Sequence, residues 1–108
     1  MGNANETWGR RLKEARTAAG FSQKQLGIEA GLDPFVASTR INRYELGVHK
    51  ADYKIAQNLS QILDVPTAYF YTEEDSLAEM MLVYHRLPAK KKKELIVVVR
   101  KMGMPRIG

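Results

Sequence analysis

Between Phe21 and Gly47 the chain reads FSQKQLGIEAGLDPFVASTRINRYELG, and this stretch limits its fold more than any other. It spells two short helices joined by a turn, with polar and basic side chains outward on the second. Ser22 is a good N-cap, and Gln25 three residues later completes a capping box. Leu26 and Ala30 then face inward, and Gly31 closes the helix. Asp33-Pro34 is a second start signal, an N-cap acid followed by proline at the first helical position. Behind it Ala37, Ile41, Tyr44 and Val48 fall on one face. These signals predict a helix over residues 34–46, from Pro34 to Leu46.

The other periodic segments read as helix too. Thr7 caps the first. Trp8, Leu12, Ala15 and Ala19 then recur at i, i+4, i+7 and i+11 as one apolar stripe, ringed by Arg10, Arg11, Lys13 and Arg16, up to Gly20. A fourth helix covers residues 51–63, with Ile55, Ala56, Leu59, Ile62 and Leu63 inward. Pro66 opens a short fifth helix around Tyr69 and Phe70. Thr72-Glu73-Glu74-Asp75 is an acidic joint and reads as a solvated linker. Beyond it Leu77, Met80, Met81, Tyr84 and Leu87 repeat at helical spacing until Pro88. A last helix over residues 89–102 ends at Gly103-Met104-Pro105. The fold class is all-α: a five-helix domain over residues 7–72 and a two-helix C-terminal extension over residues 73–108.

Size and charge narrow the function. A chain of 108 residues, 44% apolar, builds one modest core. The net charge is +5, and the excess is shared: residues 7–72 hold 9 Lys/Arg against 6 Asp/Glu, residues 73–108 hold 8 against 5. Such a balance suits a polyanion, although ordinary proteins reach it too. The absence of cysteine excludes disulfides and thiolate metal sites. No apolar run approaches the roughly 18 residues that span a bilayer, and the start lacks the apolar core of a signal peptide. Gly2 has the myristoylation position, but Glu6 stands where Ser or Thr is needed. The chain therefore reads as soluble and cytoplasmic, with no membrane partner.

The segment from Trp8 to Tyr71 resembles the phage-repressor-like helix-turn-helix family, the lambda-repressor-like or XRE type. The resemblance rests on WGRRLKEAR, FSQKQLGIEAGL, INRYELG and KIAQNLSQILDV in that order. It implies a sequence-specific DNA-binding transcriptional regulator, by family habit a repressor from a prokaryote or phage, which lays its third helix in the major groove. Counting back from Glu45-Leu46-Gly47, the resemblance puts base-reading positions at Ser38, Thr39, Asn42 and Arg43. Arg43 suits guanine and Asn42 suits adenine. Gln23 and Lys24 at the start of the second helix, Arg40, and His49 and Lys50 past the third are phosphate or mixed contacts. Arg11 and Glu45 match a pair that in the family bridges the first and third helices.

One departure stands out. The family places about one residue between the Gly-Leu turn and the third helix; here residues 33–37 fill the gap, about four extra. Four residues approximate one helical turn, so the third helix is expected to begin one turn early. Phe35 and Val36 then stand at its tip, packed against the second helix or set against thymine methyl groups.

The last helix is apolar on every side at Leu95-Ile96-Val97-Val98-Val99, which calls for burial on more than one face. The expectation is a homodimer through the 77–102 hairpin, with Met81, Tyr84, Leu95, Val98, Val99 and Met102 at the interface. The alternative is a hairpin folded back on its own domain. Lys90 to Lys93 either touch phosphate or form a solvated face. His49 and His85 are too far apart to suggest a metal motif, and no GxSxG or P-loop occurs. No enzyme, cofactor, metal or small-molecule ligand is expected. A protein-binding module or antitoxin-like subunit on the same fold is the competing function.

Overall fold

The computed structural model describes residues 4–103, all of whose regular elements are helical. They are α1 (Ala4–Ala19), α2 (Gln23–Glu29), α3 (Ala37–Glu45), α4 (Tyr53–Leu63), a 3₁₀ turn (Thr67–Tyr71), α5 (Asp75–Arg86) and α6 (Ala89–Gly103). The expected stop at Met104-Pro105 lies outside the described residues, as does Gly2.

Helix ends follow the local chemistry closely. Gly20, Gly31 and Gly47 all have positive φ, at 80°, 95° and 75°. Each closes its helix with the same two bonds. After α1, for example, Gly20 N donates to Thr17 O and Phe21 N to Arg16 O. Residues with a Cβ resist that left-handed conformation. Asp64 adopts it at the end of α4 with φ 55°. At the starts, Ser22 Oγ accepts from Gln25 N at 3.0 Å and Asp52 Oδ1 from Ile55 N at 2.9 Å. The Asp52 cap puts the start of α4 at Tyr53, two residues later than expected.

Thr7 does not cap α1. The helix begins at Ala4, and Thr7 is buried within it. The apolar stripe buries Trp8, Leu12 and Ala15 but leaves Ala19 exposed. Leu12, Leu26, Ile41, Leu59 and Phe70 form the fully buried centre, with the Trp8 and Phe70 rings 4.9 Å apart. Each such side chain contributes roughly 1.5–3 kcal/mol by leaving water. The segment after Pro66 is 3₁₀ rather than α, yet buries Tyr69 and Phe70 as its pattern requires.

Two close approaches fix α3. At Gly9 of α1 a Cβ would stand 2.3 Å from Glu45 O and 2.6 Å from Tyr44 O. At Gly27 of α2 it would stand 2.8 Å from the Ala37 Cβ. Backbone thus meets backbone on both sides of α3.

Arg11 takes a different partner from the one expected. Its side chain, 4% exposed, does not reach Glu45. Nε donates to Thr72 O at 2.9 Å, and Nη2 to Glu73 O at 3.0 Å and Asp75 Oδ1 at 2.9 Å. The acidic joint is therefore latched to α1. Hydrogen bonds from Arg11 and then Arg10 hold the Asp75 carboxyl below its usual range. Beyond the latch Ala78 enters the core and Leu82 packs against it. Arg86 Nε donates to Asp64 O at 3.0 Å, tying the far end of α5 to α4.

No residue of α6 is buried. Leu77, Met80, Val83 and Tyr84 of α5 are exposed, as are Val97, Val98, Val99 and Met102 of α6. Met81 and Leu95 are partly covered, Met81 accepting a hydrogen bond from Thr72 Oγ1 at its sulfur. Among the described residues, the hairpin leaves its apolar side chains without a core of their own.

Candidate nucleic-acid interface

The third helix presents two faces of opposite character. Ala37, Ile41 and Tyr44 are buried. At roughly 100° per residue, Ser38, Thr39, Asn42 and Arg43 fall on the opposite side, with Arg40 at its edge. All five are exposed. The structure therefore brings the expected base-facing positions onto one surface.

Behind that surface lies a polar network that the sequence pairs wrongly. Arg16, not Arg11, bridges α1 and α3. Its Nε and Nη2 donate to the two carboxylate oxygens of Glu45, while Nη1 holds Phe21 O at 2.9 Å. The Glu45 side chain is 3% exposed and that of Arg16 12%. Gln23 completes the network: Nε2 donates to Glu45 Oε1 at 3.0 Å and Asn42 Oδ1 at 3.1 Å. Asn42 is thereby oriented, its Nδ2 left toward solvent. Both N–H bonds of the Gln23 amide are engaged within the protein, so its Oε1 and the α2 backbone are what it offers outward.

The cations around this face are free. Lys24, Arg40, Arg43 and Lys50 are exposed and make no ion pair among the described residues. Of the carboxylates near this face, Glu45 is paired with Arg16, while the exposed Asp33 at the leading turn accepts from Phe35 N. His49 and Lys50 come a few residues after α3, past its Leu46–Gly47 cap, and the His49 and Val48 N–H groups both donate to Arg43 O. Val48 is exposed, not part of the buried face.

The start of α3 departs from expectation. The helix does not begin at Pro34. Val36 N donates to Asp33 O at 3.0 Å and Phe35 N to Asp33 Oδ1 at 2.8 Å, a β-turn over residues 33–36. Val36, at φ −115° and ψ −1°, breaks the ladder and precedes Ala37 without a side-chain cap. The extra residues form a projecting turn. Phe35 does not pack on α2; it is 98% exposed, and Val36 is 40% exposed.

Comparison with known proteins bears on this arrangement. A family model described as "Helix-turn-helix domain" matches residues 9–76, more than half of the chain. The chain belongs to the helix-turn-helix domain family. Two curated relatives of this helix-turn-helix domain, both named uncharacterized HTH-type transcriptional regulator, come from Sinorhizobium medicae (strain WSM419) and Rhizobium meliloti (strain 1021). Each is 35% identical over 65 residues, 60% of this chain. The match spans 44% of the length of these curated relatives. A solved structure titled as that of the transcriptional regulator BswR superposes with a TM-score of 0.83 at 45% identity, over 86% of this chain and 92% of that one. The phage-repressor-like resemblance of the sequence and the all-helical fold class both hold.

Proposed function

We propose that the protein is a cytoplasmic DNA-binding transcriptional regulator that lays the exposed face of α3 in the major groove and represses by occluding its site. The observation that carries this reading is the oriented polar face itself. Asn42 is positioned by Gln23 on a buried Arg16–Glu45 pair, between unpaired arginines. Side chains held in advance lose less conformational entropy on contact than free ones. In this reading Asn42 Nδ2 donates to adenine N7 and a second lone pair on Oδ1 accepts from N6. Arg43 has the fork that guanine O6 and N7 accept. Lys24, Arg40 and Lys50 supply phosphate contacts around these two.

Selection of bound sequences from random duplex DNA tests the reading. The Arg43→Ala protein is expected to bind the selected site more weakly by about 1–3 kcal/mol and to lose preference at one base pair. Binding should also weaken linearly as log salt rises. Affinity that ignores salt, or an Arg43→Ala protein of unchanged selectivity, would remove α3 from the groove.

The C-terminal hairpin supports a homodimer within this proposal. Its exposed valines and methionines form an apolar surface of the kind that water disfavours. A two-fold pair would present two α3 helices to half-sites about 34–36 Å apart. Light scattering on the full chain should then give twice the 12.2 kDa chain mass. A Val98→Glu variant should fall to one chain mass. Wild-type protein at single-chain mass at micromolar concentration would rule the pairing out.

A further inference from the structure

We infer that Phe35 is a specificity-determining residue, its ring meeting the C5-methyl group of a thymine at the edge of the half-site that α3 reads. The inference rests on the proposal that α3 enters the major groove. Phe35 is 98% exposed, so the fold gains nothing from burying it. Its backbone is nevertheless held twice, by Phe35 N to Asp33 Oδ1 and by Val36 N to Asp33 O. Pro34 adds a fixed φ beside it. A turn so anchored carries an aromatic ring into solvent at one defined place. That place is the leading end of α3, three residues before Ser38 and four before Thr39. A helix-turn-helix protein brings this N-terminal end of its third helix to the base edges.

The chemistry selects the target. A phenyl ring has no donor or acceptor, so it cannot distinguish the hydrogen-bonding edges of base pairs. The one apolar group in the major groove is the thymine methyl, which apolar side chains contact. Arg40 and Arg43 on the same helix and Lys24 at the start of α2 are exposed and make no ion pair among the described residues, which suits a polyanion better than a second copy of this chain. Asp33 is the acid shown beside the ring, and its Oδ1 is taken up by Phe35 N. The extra residues that displace the start of α3 thus add an apolar reader in front of a polar one.

Substituting thymine by deoxyuridine removes only that methyl. On the selected duplex, each thymine is replaced singly, and binding of wild type and Phe35→Ala is measured. The wild type should lose about fourfold in affinity at one thymine per half-site, the worth of one buried methyl-sized group. Phe35→Ala should bind the unmodified duplex at least fourfold more weakly and be indifferent to deoxyuridine at that same position. Its thermal melt should match wild type, because the ring touches nothing in the fold. A Phe35→Ala protein that binds as wild type does, or keeps the wild-type deoxyuridine pattern, overturns the inference. So does a change in chain association by light scattering, which would make the ring a protein contact. If Arg43→Ala loses selectivity while Phe35→Ala does not, only this inference falls. Absence of any selective binding by wild type removes the groove reading along with it.

Discussion

The Glu45→Ala protein is expected to lose about 3–5 kcal/mol of folding stability, the usual cost of leaving one buried ion partner alone. Glu45 accepts three hydrogen bonds, two from Arg16 and one from Gln23, on a carboxylate that is 3% exposed. Its removal strands the Arg16 guanidinium against Phe21 O alone. It also frees Gln23, and with it Asn42. A domain of this size holds about 5–15 kcal/mol in total, so urea unfolding should show a large fall in midpoint at unchanged slope. The double variant Arg16→Met, Glu45→Ala should recover much of that loss, since replacing a buried pair by apolar side chains is often neutral. Single and double variants equally as stable as wild type would sink the assignment of this pair as the α1–α3 bridge.

The Gly9→Ala protein should also be strongly destabilised, toward the upper end of the 1–3 kcal/mol typical of overpacking. Two effects oppose each other. Alanine favours the helical state over glycine by about 1 kcal/mol. Against that, the new Cβ would lie 2.3 Å from Glu45 O and 2.6 Å from Tyr44 O, both backbone atoms that no rotamer change can move. To restore ordinary contact α1 and α3 must separate by about 1 Å, opening the core beside Trp8 and Tyr44. The clash wins, and each kcal/mol lost lowers Tm by about 4–8 °C in a domain of this length. A melting temperature equal to or above wild type would show that the helices part at no cost.

Much of the fold was legible because its signals are local. The Ser22 cap on Gln25 N and a glycine just after each of the first three helices act within four residues, and the structure uses each one. The apolar spacing of Trp8, Leu12 and Ala15, or of Ala37, Ile41 and Tyr44, needs only helical periodicity. What the sequence hid depends on how helices cross. Arg11 and Arg16 are both basic residues of α1, and their spacing does not say which reaches Glu45. That is decided by where Gly9 lets α1 settle on α3. Likewise, Asp33-Pro34 opens a β-turn as readily as a helix, because both want proline after an acid. The turn won at Val36, a β-branched residue that resists continuing a helix. Ser38, Thr39, Asn42 and Arg43 could still be grouped beforehand, since a face counted back from Gly47 does not depend on where the helix begins. The Gln23–Asn42 contact joins two helices through side chains alone and left no trace in spacing.

The Arg11 latch has a consequence for how the chain tolerates change. Two of its acceptors, at Thr72 and Glu73, are main-chain carbonyls, which every amino acid supplies. Side-chain replacements at those two positions therefore keep the attachment of the C-terminal hairpin. The fragility of the joint is concentrated at the donor end, where a single guanidinium holds three groups at once. Replacing the side chain of Thr72 or Glu73 leaves these two main-chain bonds in place, whereas replacing Arg11 removes both together with the Asp75 contact.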